Sequence, residues 1–470
     1  MAGAAAPTTL DPAEATDSAS IAVCSLLYEG LVALDRRLRV IPAAAAWWWR
    51  SPDGLRYTFH LRKGLRFSDG SRITAQDVVS SFDRALTSIG SNGIMAGYLS
   101  EVATVGGRPA IFAAGPARVT FQLNQPSPAF LSKLAFVGAA VVDMARVRRF
   151  GPVWTSHPVS SGPYRLLASS DANEIRLQRN PYFRPTPPFT SVNIRLASQQ
   201  QGIRAFTRGQ AAVVSNLAQV ASLRSQQLAG LEIVPELSLD YVLLNVRRWP
   251  LNDRGIRRAL SLVVDRPRLV KYAFHGDAAP ESGMVPSPLL PRESRQRLDT
   301  AMALFAMGGS GHPFGSGLRP LRLVYPSSEP DRILAAAITR RWRTSIGLHV
   351  TPVPLSPGLY QFAVRTHHFD LALVRWKAET ADAQDFLGDQ LVGGAPQNFS
   401  GWANGSFDRL MRASLLQSID SWARRRELLA AEAIAAREAP WIPLDTPLQA
   451  ALIRPGLLGV ALTPQGISVQ

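Results

Sequence analysis

Residues 369–387 read F-D-L-A-L-V-R-W-K-A-E-T-A-D-A-Q-D-F-L, from Phe369 to Leu387. Leu371, Leu373 and the run through Val374 have the pattern of a half-buried strand, which Trp376 closes. Three acids follow at a spacing of three: Glu379, Asp382 and Asp385. Small residues separate them, so nothing apolar there demands a core. An acid just beyond the end of a buried strand, beside an indole, is well set to receive a cation. The same acids also suit the first turn of a following helix, where a carboxylate complements the helix dipole and caps free N–H groups.

This stretch resembles the signature of the family 5 extracytoplasmic solute-binding proteins, the dipeptide- and oligopeptide-binding components of ABC importers. In W-K-A-E, Trp376 matches the family Trp and Glu379 the family Asp, which holds a peptide's α-amino group. Asp382 matches the second acid of the signature, and Phe386-Leu387 its closing F-L. Two positions depart from the pattern: Glu379 stands for Asp, with a longer reach, and Ala383 for Pro.

The resemblance runs in order from about Thr8 to Leu444. It includes L-Y-E-G-L-V-A-L-D at Leu27 to Asp35, the dense block Ser51 to Leu86, S-S-G-P-Y-R-L at Ser160 to Leu166, and A-P-W-I-P-L at Ala439 to Leu444. Within the block, Pro52-Asp53-Gly54 reads as a turn and Tyr57, Phe59 and Leu61 alternate as a strand. Thr74 and Asp77 begin a helix whose apolar face carries Val78, Phe82 and Leu86. Pro126 and Pro128 precede an apolar helix expected through Val142. Trp47, Trp48 and Trp49 cannot share one face, so at least one is expected at an interface or in solvent. Leu237 to Asn245 reads as a strand, and Asn252 to Gly276 as a helix capped by Asn252 or Asp253, with Arg257 and Arg258 solvated or paired to local acids. Gly308 to Gly317 reads as a loop. A helix from Asp331 to Ile346 ends at Gly347, in the C′ position. Strand, helix and strand through Val350 to Val353 and on to Leu373 indicate α/β architecture.

The composition agrees with a folded, multi-lobed chain. It has 470 residues, 46% of them apolar and 18% charged, which is too long for one ordinary core. The formal charge of +16 comes from 51 basic residues, of which only Lys63, Lys133, Lys271 and Lys377 are lysine. The arginines are scattered, so nucleic acid is not expected as a partner. A single cysteine, Cys24, rules out an internal disulfide and sits in an apolar run as a packed hydrophobe. The apolar run Leu134 to Val142 is far too short to span a membrane. The first ten residues lack the pattern of a signal peptide. By resemblance, Thr8 to Ala13 is where mature members begin, so either an export signal was removed or the start is late.

No Lys is followed by Ser or Thr, and H-E-x-x-H, C-x-x-C and G-x-S-x-G are absent, so neither a phosphate loop nor a common catalytic motif is present. His367-His368 would point to opposite faces on a strand and make a poor metal pair. The expectation is a binding protein without enzyme activity, cofactor or metal.

The resemblance implies a periplasmic-binding-protein-like α/β fold of two lobes with a third subdomain inserted in the first. Lobe I comprises 1–40, 158–245 and 440–470, subdomain II 41–157, and lobe III 246–439. A peptide is expected between lobes I and III, which close on it by a hinge, for delivery to an ABC permease from the periplasm; the protein is expected to be a monomer. The candidate ligand contacts are Glu379, Trp376 and Asp382, with Tyr241 and Asn245 from the strand and Trp402. A metal chelate, glycan fragment or small conjugate is the alternative cargo on the same fold, and a receptor or chaperone role the alternative to transport.

Overall fold

The computed structural model describes residues 2–3, 6–87, 94–167, 171, 173–291 and 296–469; Met1, Ala4 and Ala5 of the opening ten residues lie outside these. The chain divides into two compact units, one of residues 1–218, 226–234 and 449–470, the other of residues 219–225 and 235–448.

In the first unit, four antiparallel strands lie in the order Ala45–Arg50, Arg56–Leu61, Arg118–Gln122 and Ile111–Ala113. Alternation turns Tyr57 and Phe59 inward, both fully buried, toward the helix Ala75–Thr87 with Val78 and Phe82. Phe59, Phe82 and Phe130 meet the edges of the Phe121 ring at 5.0–5.6 Å. Asp77 begins that helix by accepting from the Thr74 N–H at 2.8 Å and hydroxyl at 2.6 Å. Trp47 and Trp49, two apart on an edge strand, stand about half exposed, while Trp48 turns to the other side.

The helix expected through Val142 stops at Leu134 after a single turn or so, Phe130–Leu134. Beyond it the backbone has better partners elsewhere. The Val141 N–H donates to the Glu29 carbonyl at 2.9 Å and the Val142 N–H to the Ser81 hydroxyl at 3.0 Å, which draws the chain out straight. A second antiparallel group, Tyr164–Leu167, Glu174–Arg179 and Ser191–Leu196, packs against the helix Ser18–Leu27, where Cys24 is fully buried.

The second unit is built on one mixed sheet. After the short helix Val220–Ser225, its elements in chain order are β1 (Ser238–Leu244), α1 (Arg254–Leu262), α2 (Arg266–Ala273), β2 (Ala278–Pro280), α3 (Thr300–Gly309), β3 (Leu321–Pro326), α4 (Glu329–Ile346), β4 (Val350–Leu355), α5 (Pro357–Arg365), β5 (Leu371–Lys377), α6 (Gln384–Leu391), α7 (Gly405–Leu416), α8 (Trp422–Glu438) and β6 (Trp441–Ile453, here as far as Leu448). The strand order is β2-β6-β1-β5-β3-β4; β5, β3 and β4 run parallel and the remaining pairings are antiparallel.

Because β1 pairs with β5 along its whole length and with β6 on its other side, residues 235–245 and 440–448 fall in this unit, where the sequence reading had placed them with the first lobe. All seven residues of β1 are buried, as expected of a strand covered on both faces. On one face Val242, Leu244, Leu371 and Leu373 meet α1 and α4, including the fully buried Trp342, whose indole N–H donates to the Leu260 carbonyl at 3.0 Å. On the other face Leu239, Tyr241 and Leu243 meet α6 and α8. Each fully buried aliphatic or aromatic side chain contributes about 1.5–3 kcal/mol.

Asn252 to Gly276 forms two helices rather than one. Asp265 opens the second by accepting from the Arg268 N–H at 3.1 Å, and Pro267 sits in its first turn, where no N–H is needed. Asp253 caps α1, as expected. Arg257 is not solvated but paired to an acid, though one distant in sequence: only 4% exposed, it donates to the Glu438 carboxylate at 3.4 Å, to the Glu438 carbonyl at 2.8 Å and to the Leu251 carbonyl at 3.0 Å. Part of the expected loop from Gly308 is the end of α3. Gly347 ends α4 with φ of 69°, and a Cβ there would meet the Phe314 carbonyl oxygen at 2.1 Å, so only glycine fits.

Candidate functional site

Neighbouring parallel strands β3 and β5 send their following chain to opposite faces of the sheet. After β3 the chain enters α4, on the face with Leu244 and Leu371; after β5 it enters α6, on the face with Tyr241. Such a switch opens a crevice at the carboxyl ends of the two strands, the usual place for a ligand in α/β sheets. Here β3 and β5 are paired only at Leu323–Leu371 and Val324–Ala372 and then part. A recess of about 380 Å³ opens there, walled by Leu373 to Trp376 of β5, Asp331 of α4 and Tyr360 of α5. The Tyr360 hydroxyl bonds the Leu373 carbonyl, which anchors α5 to the strand.

Trp376 lines this recess, and its indole N–H donates to Asp385 Oδ1 at 2.7 Å. Asp385 Oδ2 accepts from the backbone N–H groups of Glu379 and Thr380 at 2.7 and 2.9 Å. One buried carboxylate thus fixes the turn that follows β5 and leaves the Glu379 side chain exposed at its tip. Burial, the largest influence, pushes the Asp385 carboxyl up to about 6, with the Glu379 charge adding to it against the pull of its donors.

Asp382 has a different setting. It is 4% exposed and accepts from Arg424 at 2.8 and 2.9 Å and from the Gln384 N–H at 2.8 Å, so it pins α8 to the start of α6. The helix-start reading of the acids therefore describes Asp382, which accepts from the N–H of the first residue of α6; Asp385 lies in the first turn of α6, but its carboxylate is taken by Trp376 and the turn after β5. Tyr241 lines the recess, but its hydroxyl is taken by Gln390 Oε1 at 2.7 Å, and its ring lies 4.5 Å from that of Trp441. Asn245 is buried and donates to the carbonyls of His367 and Phe369 at 3.1 and 3.0 Å, tying the end of β1 to the approach of β5. Trp402 is buried edge-on to Phe407 at 5.0 Å, and its carbonyl accepts from Asn398. The structure thus brings Trp376 and Tyr241 to the recess with Glu379 on the turn after the strand, and places Asp382, Asn245 and Trp402 in packed interior. His367 and His368 lie in a turn, not a strand, and among the described residues no cluster of three or more His, Cys, Asp or Glu side chains is arranged to hold a metal ion.

The model of the bacterial extracellular solute-binding proteins, family 5, matches residues 39–398. The chain is a family 5 solute-binding protein. It is 28% identical to the probable deoxycholate-binding periplasmic protein YgiS of Escherichia coli, over 97% of this chain and 89% of that one. It is also 28% identical to the glutathione-binding protein GsiB of Escherichia coli, over 93% and 86% of the two chains. Among solved structures, the unliganded open form of the murein tripeptide binding protein MppA superposes with a TM-score of 0.89 at 21% identity, over 100% of this chain and 97% of that one. HbpA2 from Haemophilus parasuis does so with a TM-score of 0.89 at 20% identity, over 100% and 99%. The expected periplasmic-binding-protein-like α/β fold is therefore the fold of this chain. Family membership makes it the extracytoplasmic binding component of an ABC importer, with a membrane permease as partner, and not an enzyme. Among the described residues no helix is long and apolar enough to cross a membrane.

This solute-binding protein also carries three charged residues that sequence reasoning passed over. Asp240 of β1, Arg375 of β5 and Asp445 of β6 stand side by side across the sheet, Arg375 opposite Asp240 and Asp240 opposite Asp445. Arg375 Nε and Nη2 donate to Asp240 at 2.7 and 2.6 Å. A signal was present: each is a charge set among mostly apolar strand residues, as in L-S-L-D-Y-V-L-L and W-I-P-L-D-T.

Proposed function

We propose that this binding protein captures a short peptide with a free amino terminus, and that Glu379 receives its ammonium. The observation that carries the reading is the braced turn after β5: Trp376, which lines the recess, orients Asp385, Asp385 holds the Glu379 and Thr380 N–H groups, and Glu379 is an exposed residue on that turn, three positions after Trp376. The names of the murein tripeptide and glutathione binding proteins point to peptide-like cargo in relatives, which supports the reading. The arginine-rich charge of +16 then has no nucleic acid to serve; any DNA affinity is weak and falls steeply with salt.

A second reading has one observation in its favour. Much of the recess wall is apolar or aromatic, with Leu334, Tyr360, Val364 and Leu373, and the relative YgiS is named for deoxycholate. An amphipathic acid of that kind is the alternative cargo.

A thermal-shift screen of di- to pentapeptides beside bile acids tests the choice, since a ligand of the folded state raises the melting temperature. A shift from bile acids and none from peptides would sink the peptide reading. Calorimetry then tests Glu379. A hydrogen bond to a charged group contributes about 1.5–3 kcal/mol, so Glu379→Gln is expected to weaken a free-amine peptide on the order of 10- to 100-fold. N-acetylating the peptide should cost wild type a similar factor and the variant little more. Unchanged affinity would remove Glu379 from the site.

A further inference from the structure

Asp445 is 1% exposed, and neither of its carboxyl oxygens has a hydrogen-bond partner among the described residues. Buried carboxyls are ordinarily well satisfied, because an unpaired one has lost its hydration for nothing in return. Its place in the sheet shows what it faces. Directly opposed residues of neighbouring strands share a face, so Arg375, Asp240 and Asp445 project side by side. The Arg375 guanidinium donates to Asp240, which leaves one cation for two carboxyls. Asp240 and Arg375 form part of the recess wall, with Asp331 and Arg365 also lining it; Asp445 is not part of the wall and stands behind Asp240 on the next strand. The other charges felt at Asp240 are those of Asp331 and, less, Glu236. On the far side of β6, Arg266 of α2 donates to the Pro443 carbonyl at 2.8 Å and Glu281 follows Pro280, the residue opposite Asp445.

We propose that Asp240 and Asp445 form a subsite for the cationic end of a cargo side chain, a primary ammonium or a guanidinium, entered from the recess. It rests on the reading of the recess as the cargo site and adds a side-chain preference to it. The cargo cation takes the place of Arg375 on Asp240 and reaches Asp445 behind. Arg375 can leave at little cost, since its side chain is 57% exposed and Asp331 is close enough for its charge to act on it. Without cargo, two carboxyls beside one guanidinium retain a proton, and burial, followed by the charge of Asp240, holds the Asp445 carboxyl well above the usual carboxylate range. An entering cation replaces that proton, which leaves to solvent, so binding strengthens as pH rises.

The probe is n-butylammonium chloride, compared at pH 8 with 1-butanol plus sodium chloride at the same ionic strength. Wild type should show a larger rise in melting temperature with butylammonium, smaller at pH 6. Asp445→Asn should lose this selective shift, and Arg375→Gln, lacking the competing guanidinium, should enlarge it. Equal shifts from the two additives in wild type, or a selective shift kept in Asp445→Asn, would overturn the subsite. If Asp445→Asn does not fold, Arg375→Gln decides, and a selective shift no larger than that of wild type overturns it. The peptide Ala-Lys-Ala should bind on the order of 10-fold more tightly than Ala-norleucine-Ala. If both bind equally, the subsite falls and peptide cargo stands. If neither binds while butylammonium discriminates as expected, peptide cargo falls and the subsite stands.

Discussion

Asp382 and Asp445 are both buried carboxyls of the second unit, at 4% and 1% exposure, yet their surroundings are opposite. Asp382 accepts two bonds from Arg424 and one from the Gln384 N–H. Asp445 accepts none among the described residues and has a second carboxyl, Asp240, as its neighbour. The first arrangement is complete and holds a helix in place. The second is short of one cation and holds a proton in its place. A buried acid therefore says little by itself; whether its hydrogen bonds are supplied from within the protein separates structure from a place where something can bind.

The largest expected effect is at the complete site. Asp382→Ala leaves Arg424 buried at 3% exposure without its partner, and losing one member of a buried pair costs about 3–5 kcal/mol. Urea unfolding should show this loss, while the affinity of the remaining folded protein for any confirmed cargo stays within twofold or so. A large change in affinity at unchanged stability would break the comparison and return Asp382 to the binding site.

Next comes Trp376→Phe, which removes the indole donor from Asp385 Oδ1 and should cost about 1–3 kcal/mol. That donor favours the ionised carboxylate, so its loss should move the Asp385 midpoint above about 6, read by carboxyl NMR titration. The sign of the stability effect follows from linkage. Because the folded value lies above the ordinary one near ~4, the folded state holds a proton that the unfolded state releases. The stability so contributed is present at low pH and lost as pH rises through about 6; in the variant the loss should extend to higher pH. A midpoint unchanged or lowered would show that the indole does not act on Asp385.

The smallest effect sharpens the other half of the comparison. Asp445→Asn removes a buried group that must hold a proton or bear a charge, and should stabilise the protein at pH 8 by about 1 kcal/mol. At low pH, where the wild-type carboxyl is protonated in both states, the gain should vanish. Melting curves from about pH 2, below the ordinary carboxyl value of about 4 that holds in the unfolded state, up to pH 8 measure both. A variant destabilised at pH 8 would mean that Asp445 has a partner in solution and is complete in the same sense as Asp382.

Much of this molecule is local enough to read from the chain. Alternation in Tyr57, Phe59 and Leu61, the cap at Asp253 and the glycine at Gly347 each rest on a few neighbouring residues, because backbone geometry and capping are short-range properties. The same holds for β5 and for the helix start after it, where Asp382 accepts from the Gln384 N–H. The fate of each acid was not local. Asp382 is claimed by Arg424, 42 residues away, and Asp240 by Arg375, 135 residues away. Asn245 and Trp402 resemble ligand contacts in sequence but are occupied by the carbonyls of the β5 approach and by Phe407. The environment of Asp445 exists only once β6 lies beside β1 and places it opposite a second carboxyl. Sequence spacing determines which side chains share a strand or a turn. Which of them share a hydrogen bond is decided by strands that meet across long stretches of chain, and that pairing belongs to the tertiary structure alone.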